Sequence, residues 1–338
     1  MTDPSEIRVH YEEVVQTLSA ILLKFGFTLD RARLAAGLFA DASRDGVSSH
    51  GINRFPRFIR GLRNGIVNPR AVPTLVSRFG ALERWDGRRG PGMLNAHGSM
   101  NRAIELGREH GIGCLALGNT NHWMRGGNYG WQAADAGVIG ICWTNTMPNL
   151  PPWGATNPKL GNNPLVIAVP RRKGHVVLDM AMSQFSYGAI ESYRRRGEML
   201  PVPGGFTLAG ELSTDPVAIE QSGRALPIGY WKGSGLALML DLLAGILSGG
   251  DSTHEIPSDS ERESRLSQVF IAIDPSHLEG SRLAEEVVNK TILDLHTANT
   301  ASGEPVRYPG EQVLKTRRHN LAHGIPVSAP IWDEVLGL

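Results

Sequence analysis

Ser49-His50-Gly51-Ile52-Asn53-Arg54-Phe55 joins two side chains of complementary chemistry. A histidine exchanges protons near neutrality, and the planar fork of Arg54 matches a carboxylate. Together they suit proton transfer beside a bound acid group, with Gly51 allowing close approach. The pairing recurs in Asn121-His122-Trp123-Met124-Arg125-Gly126-Gly127, directly after the apolar run Cys114–Leu117. A strand end leading through polar residues and glycines into a helix is where α/β proteins bind ligands. Asp179 interrupts the apolar run Val176–Met182, and a carboxylate there is costly unless paired. Its functional reading is the partner of a catalytic histidine, orienting the ring and favouring imidazolium. The plainer alternatives are a solvated turn at 49–55, a helix cap at 121–127 and a strand-end carboxylate at 179.

Two glycine-rich helix starts could approach a phosphate. Tyr230-Trp231-Lys232-Gly233-Ser234-Gly235 offers backbone N–H groups and the Lys232 charge. It lacks the dinucleotide fingerprint, because Leu238 stands where the third small residue belongs and no strand precedes it. Pro309-Gly310-Glu311-Gln312 is a second such start or an ordinary N-cap. Arg171-Arg172-Lys173-Gly174-His175 reads as a solvated hairpin tip, or as a grip on a cofactor phosphate. Asn162-Asn163-Pro164 reads as a plain turn, or as a pair of amides that bind a polar ligand. His319 and His323 share a helix face, but no Glu follows His319, so no metal site is expected.

The elements that must position these groups change character along the chain. Glu6–Leu23, Leu29–Ser43, Phe58–Arg63 and Ala96–His110 have helical spacing, with Asn64-Gly65 as a stop. From Gly113 the pattern shifts to short apolar runs at Cys114–Leu117, Val138–Trp143, Leu165–Val169, Val176–Met180 and Val269–Ile273, read as buried strands. Helices are expected between them at Gly127–Ala136, Gly235–Leu247 and Arg282–His296, and again at Gly310–Ala322 and Ile331–Leu336. The polar, serine-rich stretch Asp251–Arg265 reads as an exposed insertion or mobile loop. The expected fold class is mixed α/β. Residues 1–112 and 301–338 would form a mostly helical domain around an inserted mixed-sheet domain at 113–300.

Composition narrows the function. Hydrophobic residues make up 41% and charged residues 20% of the 338 positions, an ordinary globular balance. The net charge of +1, from 34 basic and 33 acidic side chains, gives no nucleic-acid footprint. Cys114 and Cys142 lie in apolar runs and read as core thiols in a reducing compartment. The start Met-Thr-Asp-Pro-Ser-Glu lacks the features of a signal peptide, and no run suggests a membrane span of about 20 apolar residues. A cytoplasmic protein is expected.

The motifs together resemble the malate/L-lactate dehydrogenase type 2 family, and within it look most like the 2,3-diketo-L-gulonate reductases. The likeness rests on Ser-His-Gly-Ile-Asn-Arg-Phe-Pro-Arg-Phe at 49–58 and Asn-His-Trp-Met-Arg-Gly-Gly at 121–127. It continues through Gly-Ile-Cys-Trp-Thr-Asn at 140–145, Pro-Pro-Trp-Gly at 151–154, Phe-Ser-Tyr-Gly at 185–188 and Tyr-Trp-Lys-Gly-Ser-Gly at 230–235. These run in family order from about Val14 to the C-terminus. The resemblance implies a homodimeric NAD(P)H-dependent reductase of a 2-oxo acid on a fold that is not Rossmann, with NADH as cofactor and NADPH possible. It implies His50 as proton donor with Asp179 as its partner. Arg54, His122 and Arg125 are the substrate candidates. The family's cofactor contacts fall on His175, Val176, Val177, Leu178, Asp179, Met180 and Ala181, on Trp231 and Lys232, and on Gly310, Glu311 and Gln312.

Overall fold

The computed structural model describes residues 6–277, 281–301 and 303–338. Residues 1–5, on which the signal-peptide expectation rests, lie outside them. The chain opens with β1 (Glu6–Val9), α1 (Tyr11–Lys24) and α2 (Leu29–Arg44), then two 3-10 turns, Ser48–His50 and Ile52–Arg54, and α3 (Phe55–Arg63). Next come β2 (Thr74–Phe79), β3 (Leu82–Asp86), α4 (Gly92–His110), β4 (Ile112–Thr120), α5 (Gly127–Asp135) and β5 (Ile139–Thr144). The central part continues with β6 (Leu165–Val169), β7 (Val176–Met180), α6 (Tyr187–Arg196), β8 (Gly205–Phe206), β9 (Leu212–Ser213), α7 (Pro216–Ser222), α8 (Trp231–Ser248) and β10 (Leu266–Ile273). α9 (Ser281–His296), α10 (Glu311–His323), β11 (Ile325–Ser328) and α11 (Ala329–Leu336) close it.

A seven-stranded sheet in the order β2-β3-β4-β10-β5-β6-β7 is the frame. Only β3 and β4 pair in parallel in it; the other neighbours are antiparallel, so the sheet is mixed. One face is covered by α4 and α5, whose Met100, Ala103 and Tyr129 pack with Leu115 and Phe270 of the sheet. The other carries α8, with Ala237, Leu240 and Ala244 against Ala116, Trp143 and Val269. A separate core joins the two chain ends: Val14, Leu18, Phe39, Phe55 and Ile59 pack with Ile325, Val327 and Trp332.

Several expectations are corrected. Glu6–Val9 is a strand, paired from Glu6↔Ser328 to Val9↔Ile325; the helix begins at Tyr11. β2 and β3 lie in the stretch read as helical, yet they extend the central sheet. α6 and α7 were not anticipated, and α8 starts at Trp231, four residues before Gly235. Gly233 permits that start: a Cβ there would meet the Ile228 carbonyl at 2.3 Å. α8 is also the one helix among the described residues long and apolar enough to cross a membrane, which the sequence reading passed over. It packs on the sheet, and its Asp241 accepts from Asn145 Nδ2 at 3.0 Å and Thr253 N at 2.8 Å.

The stretch 251–265 is no free insertion. Its base is tied down by Asn145 Nδ2 and Ser267 Oγ, which donate to the Asp251 carbonyl at 2.8 and 2.7 Å. Thr253 and Ile256 are buried, whereas residues 258–262 are exposed.

Candidate active site

The sequence from α2 to α3 builds one wall of a cleft. In α3, Phe55, Phe58, Ile59 and Leu62 repeat at helical spacing and are buried. Phe39 of α2 meets Phe55 and Phe58 with ring centroids 5.2 and 5.5 Å apart, contacts worth about 0.5–1.5 kcal/mol each beyond area burial. Burying that face turns Arg54, Arg57 and Arg60 toward the cleft. Gly51 sets the approach. A Cβ there would stand 2.1 Å from Ser43 Oγ and 2.9 Å from the Phe39 carbonyl, so the glycine serves the docking of the His50 loop on α2. Ser43 Oγ in turn accepts from Ile52 N at 2.8 Å. Gly51→Ala is therefore expected to cost about 1–3 kcal/mol through overpacking and to displace His50. Urea unfolding and kcat measured on the same preparation check both effects.

The cleft measures about 870 Å³ and is lined by His50, Arg54 and His122 together with Ser48, Asn53, Thr146–Asn149, Tyr187, Glu191, Arg195 and Glu263. The rings of His50 and His122 stack with centroids 5.7 Å apart. Ser49 Oγ lies 3.1 Å from His50 Nδ1. His122 Nδ1 accepts the Met124 N–H at 3.0 Å, so the neutral ring carries its proton on Nε2, the nitrogen left to donate. Met124 holds φ at 63°, a strained backbone of the kind found at ligand sites.

Electrostatics set the protonation states. Burial, then Arg54 and Arg125, push the His50 pKa down to about 4. His122 falls well below its ordinary value for the same first reason, with Arg54, His50 and Arg57 adding to it. Arg54 is lowered to about 10 by burial and Arg57, while Glu263 and Glu261 pull it back up.

Two candidates sit elsewhere than expected. Asp179 makes no hydrogen bond or ion pair with His50 among the described contacts, so the imidazolium-holding pair is not formed. Its Oδ2 accepts the Gly127 N–H at 2.9 Å and lies 4.0 Å from Arg125 Nε. Burial raises its carboxyl against the pull of Arg125 and that N–H, and the 29% of the side chain left exposed tempers the shift. Arg125 is not among the cleft's lining residues; only 3% of its side chain is exposed, and Nη1 donates to Asp45 Oδ2 at 2.6 Å. Asp45 caps the C-terminal end of α2 and is also a hub, accepting from Arg317 at 2.7 and 2.8 Å and from Arg44 at 2.8 Å.

The dinucleotide candidates converge on β7, an edge strand. Pro309, one residue before Gly310, accepts the Val177 N–H at 2.9 Å. Gly310 holds φ at 96°, and a Cβ there would meet the His175 carbonyl and Val177 N at 3.2 Å. At the other end, Ile228 N donates to the Met182 carbonyl at 2.8 Å, which leads directly into Tyr230, Trp231 and Lys232. Both ring nitrogens of His175 are engaged, with Arg171 N and Asp135 Oδ1 at 2.9 Å, so any ligand contact there falls to the backbone. Gln312 Oε1 accepts from Arg307 at 2.7 Å and Glu311 Oε2 lies 3.3 Å from His296 Nε2. Val176, Leu178, Met180 and Ala181 are half-buried along the same edge. An edge strand between two helix starts, one opened by a glycine where a side chain would crowd the backbone, fits an elongated phosphate-bearing cofactor.

Sequence reading missed Arg57, Arg195, Asp45 and Glu263. Arg57 had a signal: three residues after Arg54, it shares a helix face with it. Glu263 had none, since its place depends on how the stretch 251–265 crosses α3.

Comparison with known proteins supplies relatives for the whole chain. Residues 9–336 match the family model described as Malate/L-lactate dehydrogenase. The chain is 43% identical over 333 residues to the 2,3-diketo-L-gulonate reductase of Klebsiella pneumoniae strain 342, covering 98% of this chain and 100% of that protein. It is similar in structure to the malate dehydrogenase from Pyrococcus horikoshii OT3, with a TM-score of 0.89 and 28% identity over 99% of this chain and 95% of that one. It is also similar to the sulfolactate dehydrogenase from Methanocaldococcus jannaschii, with a TM-score of 0.91 and 29% identity over 98% of both chains.

Proposed function

Because the chain belongs to the malate/L-lactate dehydrogenase family, and is thus an oxidoreductase, we propose that it reduces a 2-oxo acid, 2,3-diketo-L-gulonate, to the 2-hydroxy acid 3-dehydro-L-gulonate with NADH or NADPH. The observation that carries this reading is the single cleft lined by His50, Arg54 and His122. The bound nicotinamide supplies the hydride. Arg54 takes the substrate carboxylate, His122 Nε2 donates to a polar group of the bound acid, and His50 gives its proton to the alkoxide that develops at the ketone oxygen. Asp179 is the proposed partner of His50 by way of Arg125, which lies 4.0 Å from Asp179 Oδ2 and is one of the two arginines that lower the His50 pKa.

Trp231, Lys232, Gly310, Glu311, Gln312 and the segment His175–Ala181 are the proposed cofactor contacts, on a mixed sheet distinct from the Rossmann arrangement. Residues 1–112 with 301–338 are read as the substrate and dimerisation part and 113–300 as the dinucleotide part. The pairing of β1 with β11 supports the first grouping, although β2 and β3 cross the boundary. A cytoplasmic homodimer is the expected working form. The uncovered apolar face of α8, with Met239 at 51% and Ile246 at 68% exposure, is a candidate for its contact.

Oxidation of NADH and of NADPH is measured with 2,3-diketo-L-gulonate beside pyruvate and oxaloacetate. Turnover of the sugar acid is the expected result. Activity confined to another 2-oxo acid moves the substrate to that of a malate, lactate, sulfolactate or ureidoglycolate type. Silence on all, with NADH still raising the melting temperature, would leave a non-catalytic binding protein.

A further inference from the structure

Three acidic side chains line the cleft, and two of them are committed. Glu191 pairs with Arg195 at 2.6 Å and Glu220 with Arg194 at 2.7 Å. Glu263 differs. Its side chain is 6% exposed, and Oε1 accepts the Met147 N–H at 3.2 Å. Oε2 stands 3.9 Å from Arg54 Nη2 and 4.0 Å from Arg57 Nη2, too far for a hydrogen bond to either. An acceptor-only oxygen with unused capacity thus faces the cleft beside the arginine that takes the substrate's acid group.

The geometry points to Glu263 as the residue that selects polyhydroxylated monocarboxylates over dicarboxylates, an assignment that rests on reading this cleft as a 2-oxo acid site. A substrate with its carboxylate on Arg54 extends past Glu263. Hydroxyl groups on that extension donate to Oε2 and complete its hydrogen bonding. A second carboxylate cannot donate, meets a like charge, and finds Arg57 already screened by Glu263. Arg57 is held from the other side as well, since it donates to the Ser260 carbonyl and lies 3.5 Å from Glu261. Selectivity on this view comes from a repulsive element placed beside an attractive one, and the stretch 251–265 is what delivers it.

The test is binding of D-gluconate and of malonate to the whole protein by titration calorimetry, which needs no turnover. Gluconate is expected to bind more tightly to the wild type. Glu263→Gln keeps the acceptor for Met147 N–H and removes the charge, so the gluconate-to-malonate affinity ratio should fall about tenfold. Glu261→Gln makes the same charge change at the rim, where the side chain is 42% exposed, and should leave the ratio where it is. A wild-type preference for malonate, no binding of either acid, an unchanged ratio in Glu263→Gln, or equal changes in both variants overturns the assignment. A wild type that prefers gluconate but turns over no 2-oxo acid would keep the role of Glu263 and remove the reaction.

Discussion

His50→Ala lowers kcat for 2-oxo acid reduction by about 10²–10⁴-fold, the range for losing a positioned general acid, while the affinity for NADH stays unchanged. Near-normal turnover in the variant would remove His50 from the chemistry. The pH profile carries a second, sharper expectation. Burial and two arginines hold the ring at about 4 in the free protein, below the value of about 6.5 for a free histidine. Reduction needs the protonated ring, so its kcat/KM should fall tenfold per pH unit as pH rises above about 4. Oxidation of the hydroxy acid needs the neutral ring, so its kcat/KM should be level above the same value. A carboxylate on Arg54 cancels one of the charges that depress His50. The bound complex, reported by kcat, should therefore titrate at a higher pH than the free enzyme, reported by kcat/KM. Coincident values in the two profiles would show that Arg54 does not receive the acid group.

What could be read from the sequence follows from how local each feature is. Leu165–Val169 and Val176–Met180 coincide with β6 and β7 because the first is an apolar run closed off by Pro164 and Pro170 and the second an apolar run that starts just past Gly174. Glu6–Val9 reads as helix because it runs straight into the periodic pattern of α1; only its partner more than 300 residues away makes it a strand. β2 and β3 interleave charged residues and leave β2 exposed throughout, so no buried run announces them. The candidate site divides the same way. His50, Arg54 and His122 are found from residue type and spacing, and all three line the cleft. Arg125 has the right chemistry for a clamp, but whether it meets a substrate or Asp45 depends on a contact 80 residues away. Glu263 is one serine-rich stretch's only deeply placed acid, with nothing in its neighbours to mark it.

Asp45→Asn is expected to cost about 3–5 kcal/mol of stability, the range for removing one partner from a buried ion cluster. The variant keeps the side chain's shape but strips the counter-charge from Arg125 and Arg317, whose side chains are 3 and 21% exposed, while Arg44 keeps its pair with Asp41 at 2.6 Å. Arg125 suffers most, because its Nε is already buried without a hydrogen-bond partner and only the Asp179 carboxylate, 4.0 Å away, remains near it. Burial works to raise the Asp45 carboxyl, but Arg317, Arg125 and Arg44 outweigh it and hold the group well below the usual carboxylate range. A folded-state value below the unfolded one means the stabilisation is complete above about pH 4 and is lost as pH falls through that value toward the folded one. Urea midpoints measured at pH 7 and at pH 3 should therefore drop steeply for the wild type and by less for Asp45→Asn. Because Asp45 joins α10 through Arg317 and the turn before α5 through Arg125, the same variant should loosen both the cofactor edge and the neighbourhood of Asp179. Adding Arg125→Met should restore part of the stability by removing the stranded charge. A double variant no more stable than Asp45→Asn would show that the cost lies in Arg317 and the docking of α10, with Arg125 a bystander.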